Sequence, residues 1–133
     1  DDREVAYVWS TVHEYAGCPD IIGEIGGVKV IADFKTSNGP YMNNFPDRGD
    51  RAGYGGFRKY QKCAQQMAAY RLALEERTGY RCDVALIIAT TPEITQAIFI
   101  DGDQLDLYES RFIKRAQMFH DLDKQTNETE GQC

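Results

Sequence analysis

Hydrophobic and polar positions divide the chain into alternating strand-like and helix-like stretches. Residues 4–12 are rich in β-branched and aromatic types and predict a strand, with Trp9 in the core. Residues 16–25 predict a second strand and residues 28–36 a third. Gly26-Gly27 between them tolerates the positive φ of a tight hairpin turn. The three strands are expected to form an antiparallel β-meander. Residues 38–56 are dominated by Asn, Gly, Pro, Asp and Arg and predict a long loop, loosened by Gly53, Gly55 and Gly56. The period then becomes helical over 57–78, through Ala64, Met67, Ala68, Arg71 and Leu72, and Gly79 is placed to stop the helix. Residues 82–90 predict a strand with Ile87-Ile88 in the core, and 95–100 a strand near the edge. Asp103 is expected to cap a last helix that ends near residue 122. Residues 124–133 are polar and expected to be disordered. The order βββ-α-β-β-α predicts an α/β fold: a mixed central sheet with the meander, flanked by helices, in a single domain over 1–123.

Composition narrows the class without naming a chemistry. The 133 residues are 42% hydrophobic and 27% charged, as expected of one globular domain. No apolar run reaches the roughly 18 residues of a membrane helix, and no signal peptide is visible. No membrane partner is expected. A first residue that is not methionine suggests a trimmed or processed chain. Cys18, Cys63, Cys82 and Cys133 lack CxxC spacing, and only His13 and His120 could join them on a metal. Zinc and iron–sulfur sites are therefore not expected, and free thiols suit a reducing cytoplasm. The sequon Asn127-Glu128-Thr129 reads as chance.

A net charge of −6 argues against coating nucleic acid through bulk charge. One segment departs from that balance. Residues 48–62 hold Arg48, Arg51, Arg58, Lys59 and Lys62 against Asp50 alone. Tyr54, Phe57 and Tyr60 interleave with them. Rings that stack on bases beside cations that follow phosphates suit a single strand. A solvated loop and helix start explains the segment equally well.

The chemistry concentrates at Asp33-Phe34-Lys35, inside the apolar run 30–37. Strand side chains alternate, so Asp33 and Lys35 share a face. Two charges buried there are costly unless they pair with each other or with a metal. Asp20 lies on the neighbouring predicted strand, so the two carboxylates can converge. With the Phe34 backbone carbonyl they offer hard oxygen donors for Mg²⁺ or Mn²⁺. Lys35 would then stand beside the attacking water and the charge that develops on phosphorus. Gln66 and Tyr70 share a helix face at i, i+4 and can support that site. Thr36 and Ser37 can donate to a substrate backbone. Glu24 reads as a solvated strand residue, whereas His13 stays a candidate because histidine is a common proton-transfer side chain.

Three ordered motifs carry a resemblance. Gly17-Cys18-Pro19-Asp20, then Ile31-Ala32-Asp33-Phe34-Lys35-Thr36-Ser37, then Gln66-x-x-x-Tyr70, resemble the PD-(D/E)xK nuclease superfamily. The nearest pattern is that of its RecB-type exonucleases, the subgroup that includes the exonuclease maintaining mitochondrial genomes. The resemblance implies a restriction-endonuclease-like core and a Mg²⁺- or Mn²⁺-dependent DNA exonuclease. It implies action on single-stranded or frayed ends, in replication, recombination or repair. By motif position Asp20 and Asp33 become metal ligands, Lys35 catalytic, and Gln66 with Tyr70 a supporting pair. His13-Glu14 falls where the mitochondrial enzyme has a similar pair. The family's N-terminal core helix is not seen and is expected to be absent or supplied by another chain; oligomeric state stays open. A bacterial or phage-infected cytoplasm is the expected setting, or mitochondria in a eukaryote. The alternatives are a structure-selective endonuclease of junction-resolvase or restriction type, and a nucleic-acid-binding module that has lost cleavage.

Overall fold

A computed structural model describes residues 8–13 and 15–131. A short hairpin, β1 (Val8–Ser10) and β2 (Tyr15–Gly17), forms its own two-stranded sheet. The main sheet has the order β3-β4-β5-β6, with β3 at Ile21–Ile25, β4 at Val28–Thr36, β5 at Val84–Thr90 and β6 at Thr95–Ile100. Its outer pairs are antiparallel, and the central β4–β5 pair is parallel. Helix α1 (Arg51–Thr78) makes the crossover between them, and α2 (Gly102–Gly131) packs beside α1. The fold is thus mixed α/β, with antiparallel pairs flanking a parallel centre.

Several expected elements change. The second strand does not run from 16 to 25, because residues 18–20 break it. Pro19 is fully buried there and has no N–H to give a ladder. The break detaches β1 and β2 from the main sheet, so the three-stranded meander is replaced by two separate hairpins. Residues 4–7 of the expected first strand lie outside the described residues. Trp9 is 45% exposed, and the Arg77 guanidinium lies 4.8 Å from its ring centroid. It clasps the hairpin to α1 by a cation–π contact rather than filling the core.

Helix α1 begins at Arg51, earlier than the glycines suggest. The Asp50 carboxylate accepts from the Gly53 N–H at 2.9 Å and caps it. Gly53 and Gly56 sit inside the helix because neighbours crowd them. A β-carbon at Gly56 would stand 2.5 Å from the Pro40 carbonyl oxygen. The helix ends as expected at Gly79, at φ 76°, with its N–H on the Glu75 carbonyl at 2.8 Å. Asp101, not Asp103, caps α2, accepting from the Gln104 N–H at 2.9 Å. Helix α2 continues through the stretch expected to be a tail, to Gly131. No glycine or proline interrupts residues 103–130.

Alternation along the strands places the core. Ile31, Ala85, Ile87, Ala89, Ile98 and Ile100 point to the helices and meet Met67, Ala64, Ala68 and Leu105. The opposite sheet face is also apolar but open: Ile21, Ile25, Val28, Phe34 and Phe99 are exposed there. Asp33 and Lys35 lie on the helix face, in register with Ile31. The site therefore forms where the C-terminal end of β4 passes under α1.

Candidate functional site

Register builds the acid pair. Ile21 pairs with Ala32, so Asp20 reaches the position across from Asp33. Asp20 Oδ2 accepts from the Phe34 N–H at 2.8 Å, which fixes the carboxylate just ahead of β3. Asp33 is buried. Its Oδ2 lies 2.8 Å from Lys35 Nζ, and that ammonium also donates to Gln66 Oε1 at 2.9 Å. Gln66 Nε2 donates in turn to the Tyr70 hydroxyl at 2.8 Å. Sheet and helix are thereby joined by one polar chain, Asp33–Lys35–Gln66–Tyr70.

The acids differ in proton affinity. Burial raises the Asp33 carboxyl above the ordinary range, helped by the hydrogen bond it shares with Asp20 and opposed by Lys35. Asp20 is lowered by that same hydrogen bond and by the Phe34 N–H. Burial pulls the Lys35 ammonium down, but the Asp33 carboxylate beside it outweighs burial and raises it. Burial also raises the Tyr70 hydroxyl. Two carboxylates held together in a half-dry place need a proton or a cation between them. Their oxygens fit a hard divalent ion. Among the described residues no group of three or more His, Cys, Asp or Glu could hold a metal, so the protein's side-chain ligands would be these two.

Lys35 opens onto a cleft of about 630 Å³, lined also by Thr36, Ser37, Tyr41, Lys59, Lys62 and Gln66. Lys59 Nζ donates to Ser37 Oγ at 2.6 Å. The basic segment divides here. Lys59 and Lys62 face the cleft, but Arg48, Arg51, Tyr54 and Arg58 do not line it. Arg51 opens α1, Arg48 and Arg58 are exposed, and Tyr54 packs edge-on against Phe45 at 5.5 Å. Helical winding of 100° per residue spreads a run that looks continuous in sequence. His13 lies in a different hollow, against α2, where its carbonyl meets the His120 ring at 3.1 Å. Glu14 lies outside the described residues. Glu24 is exposed, opposite Lys29.

Some contributors carried no sequence signal. Gln96 clamps the loop over the cleft: its Oε1 accepts from the Tyr41 N–H at 2.7 Å and its Nε2 donates to the Tyr41 carbonyl at 3.0 Å. Tyr41 and Cys63 are buried and line the cleft, where burial pushes the Cys63 thiol up to about 12. Gly17, the first residue of the glycine-aspartate motif, lies under the Tyr70 ring, and a β-carbon there would overlap it. The first and third motifs are thus one contact.

Neither a family profile nor a curated protein matches the sequence. Solved structures match the fold. One is the crystal structure of a Eubacterium rectale protein provisionally named an exonuclease. It aligns with a TM-score of 0.54 at 16% identity, over 87% of this chain and 41% of that one. The crystal structure of SSO0001 aligns with a TM-score of 0.43 at 15% identity, over 86% of this chain and 47% of that one. The chain spans less than half the length of either protein. At 16% identity the first likeness is one of fold.

Proposed function

We propose that the chain hydrolyses DNA phosphodiester bonds with a divalent cation, as an exonuclease on single-stranded or frayed ends. The observation that carries this is the convergence of Asp20 and Asp33 with the Lys35–Gln66–Tyr70 chain at the mouth of a lysine-lined cleft. The fold shared with a protein provisionally named an exonuclease supports it. Asp20, Asp33 and the Phe34 carbonyl would hold Mg²⁺ or Mn²⁺, which supplies Lewis acidity toward the phosphoryl group and acidifies water. The protein's own groups do the rest. Lys35 donates to both Asp33 and Gln66, which fixes its ammonium beside the carboxylates to meet charge developing on phosphorus. Gln66 holds that ammonium, and Tyr70 holds Gln66. Ser37, Lys59 and Lys62 receive the phosphates that flank the reacting one.

The test is cleavage of end-labelled linear and circular single strands with Mg²⁺, Mn²⁺ or chelator. Wild type should shorten the linear strand only with metal and leave circles intact. Lys35→Ala should lose roughly a hundredfold to a thousandfold in rate. No metal-dependent cleavage by wild type would sink the nuclease reading. Cut circles would replace the exonuclease with an endonuclease.

A further inference from the structure

Three hollows lie in series across the site. The main cleft shares Thr36, Ser37 and Asn38 with a hollow at Thr90-Thr91-Pro92. On its other side it shares Lys62 and Gln66 with a hollow of about 360 Å³ between α1, α2 and β2. That last hollow carries groups the proposed hydrolysis does not use. Its wall is the Tyr15–Phe112 pair, edge to face with centroids 4.7 Å apart. The Tyr15 hydroxyl is tied to the Ala69 carbonyl at 2.5 Å, so the wall is held in place. Lys62 and Arg115 stand exposed at its rim, and among the described residues neither pairs with a carboxylate.

We infer that this hollow is the subsite for a nucleotide next to the reacting phosphate, its base on Phe112 and its phosphate between Lys62 and Arg115. The inference rests on the nuclease reading and adds where the strand runs. Half-buried aromatic surface beside two cations that pair with no carboxylate among the described residues suits a base with its phosphate. Continuity decides between that and any separate ligand. Gln66 lines both hollows and bonds to Lys35 in one and to Tyr70 in the other. A strand whose phosphate reaches Lys35 would lay its neighbouring residue over Tyr70 and Phe112. The opposite hollow, lined by Thr36, Ser37, Asn38 and the 90–92 turn, would take the strand's other direction.

Steady-state cleavage of a ten-nucleotide single strand tests the inference, across a salt series with Mg²⁺. Arg115→Ala and Phe112→Leu are each expected to raise KM about fivefold to tenfold with kcat within about twofold. Arg115→Ala should also make the salt dependence of KM shallower by about one phosphate contact, which a merely structural role would not do. Phe112→Trp keeps a stacking surface and should stay near wild type, which separates stacking from folding. Lys114→Ala, exposed on the same helix but outside the hollow, is the control. Cleavage by wild type with KM and salt slope unchanged in Arg115→Ala and Phe112→Leu overturns the subsite and leaves the nuclease standing. No cleavage of any strand by wild type removes the nuclease reading, and the subsite falls with it.

Discussion

At the scale of single residues, the site depends on how each charge is held. Asp33 is tolerated in a core strand because the Lys35 ammonium lies 2.8 Å from its carboxylate, while burial and the neighbouring Asp20 raise its proton affinity. Gln66 bonds at both ends and has no substitute in the chain that joins sheet to helix. Gln66→Leu keeps the volume and removes both bonds. It should lower kcat about tenfold to a hundredfold, as misplacing a reacting group does. The Tm should fall by no more than about 10 °C, since each of the two lost hydrogen bonds is worth only about 1 kcal/mol net. A differential scan run beside the kinetics reads both. The pair Asp33 and Lys35 was legible in sequence because strand alternation alone puts i and i+2 together. The distance from Lys35 to Gln66 was not, because it depends on how α1 lies on β4.

At the scale of elements, the glycines changed meaning. Gly53, Gly55 and Gly56 resemble a flexible loop in sequence but occupy the start of α1. Gly56 admits the Pro40 carbonyl, while nothing crowds Gly55. Gly55→Ala should raise stability by roughly 0.5–1 kcal/mol through helix propensity. Gly56→Ala should lower it by about 1–3 kcal/mol, because backbone at 2.5 Å does not yield and overpacking outweighs propensity. Urea unfolding of the two variants compares them. At Gly17 the crowding partner is the Tyr70 ring, a side chain free to turn aside. Gly17→Ala should therefore fold but push Tyr70 off Gln66, and kcat should fall with little change in Tm. The glycine-aspartate motif was visible in sequence; its mechanical tie to the Gln-Tyr helix was not, since residues 17 and 70 meet only after the sheet forms.

At the scale of the whole molecule, an ionic lattice joins the two helices. Arg71 is buried in α1, with Nη2 2.6 Å from Asp106 Oδ1 and 3.6 Å from Glu109 Oε1 on α2. Arg81 reaches the same Asp106 oxygen at 3.0 Å. The hydrogen bond from Arg71, with the charges of Arg71 and Arg81, holds the Asp106 carboxyl below its ordinary value of 3.8. A depressed carboxyl contributes stability that is present above pH 3.8 and lost as pH falls through its folded value. Asp106→Asn should thus be less stable than wild type at pH 7, and the gap should begin to narrow only as pH falls below 3.8. Urea midpoints at pH 7, 5 and 3.5 follow it. Added salt should narrow the gap at pH 7, since the Asp106 side chain is 57% exposed and screened. Burial raises Glu109 in the opposite direction, so the lattice as a whole is not simply acid-labile.

By itself the sequence determined the strands at 28–36 and 95–100 and the stop of α1 at Gly79, and it singled out Asp20, Asp33, Lys35, Gln66 and Tyr70, which the fold then brings together. The elements rest on local rules, alternation and positive φ at glycine, whereas the candidate residues rest on short spacings together with the resemblance carried by three ordered motifs. Only the tertiary structure decided that Pro19 splits the expected strand and that the glycines around 55 open a helix. It also decided that the basic run sets two exposed lysines along the cleft and leaves its arginines away from it. Those outcomes depend on what the packed neighbours allow, and the neighbours come from distant parts of the chain. The hollow at Phe112 and Arg115 belongs to the same class, since it exists only where α2 comes to lie against α1 and β2.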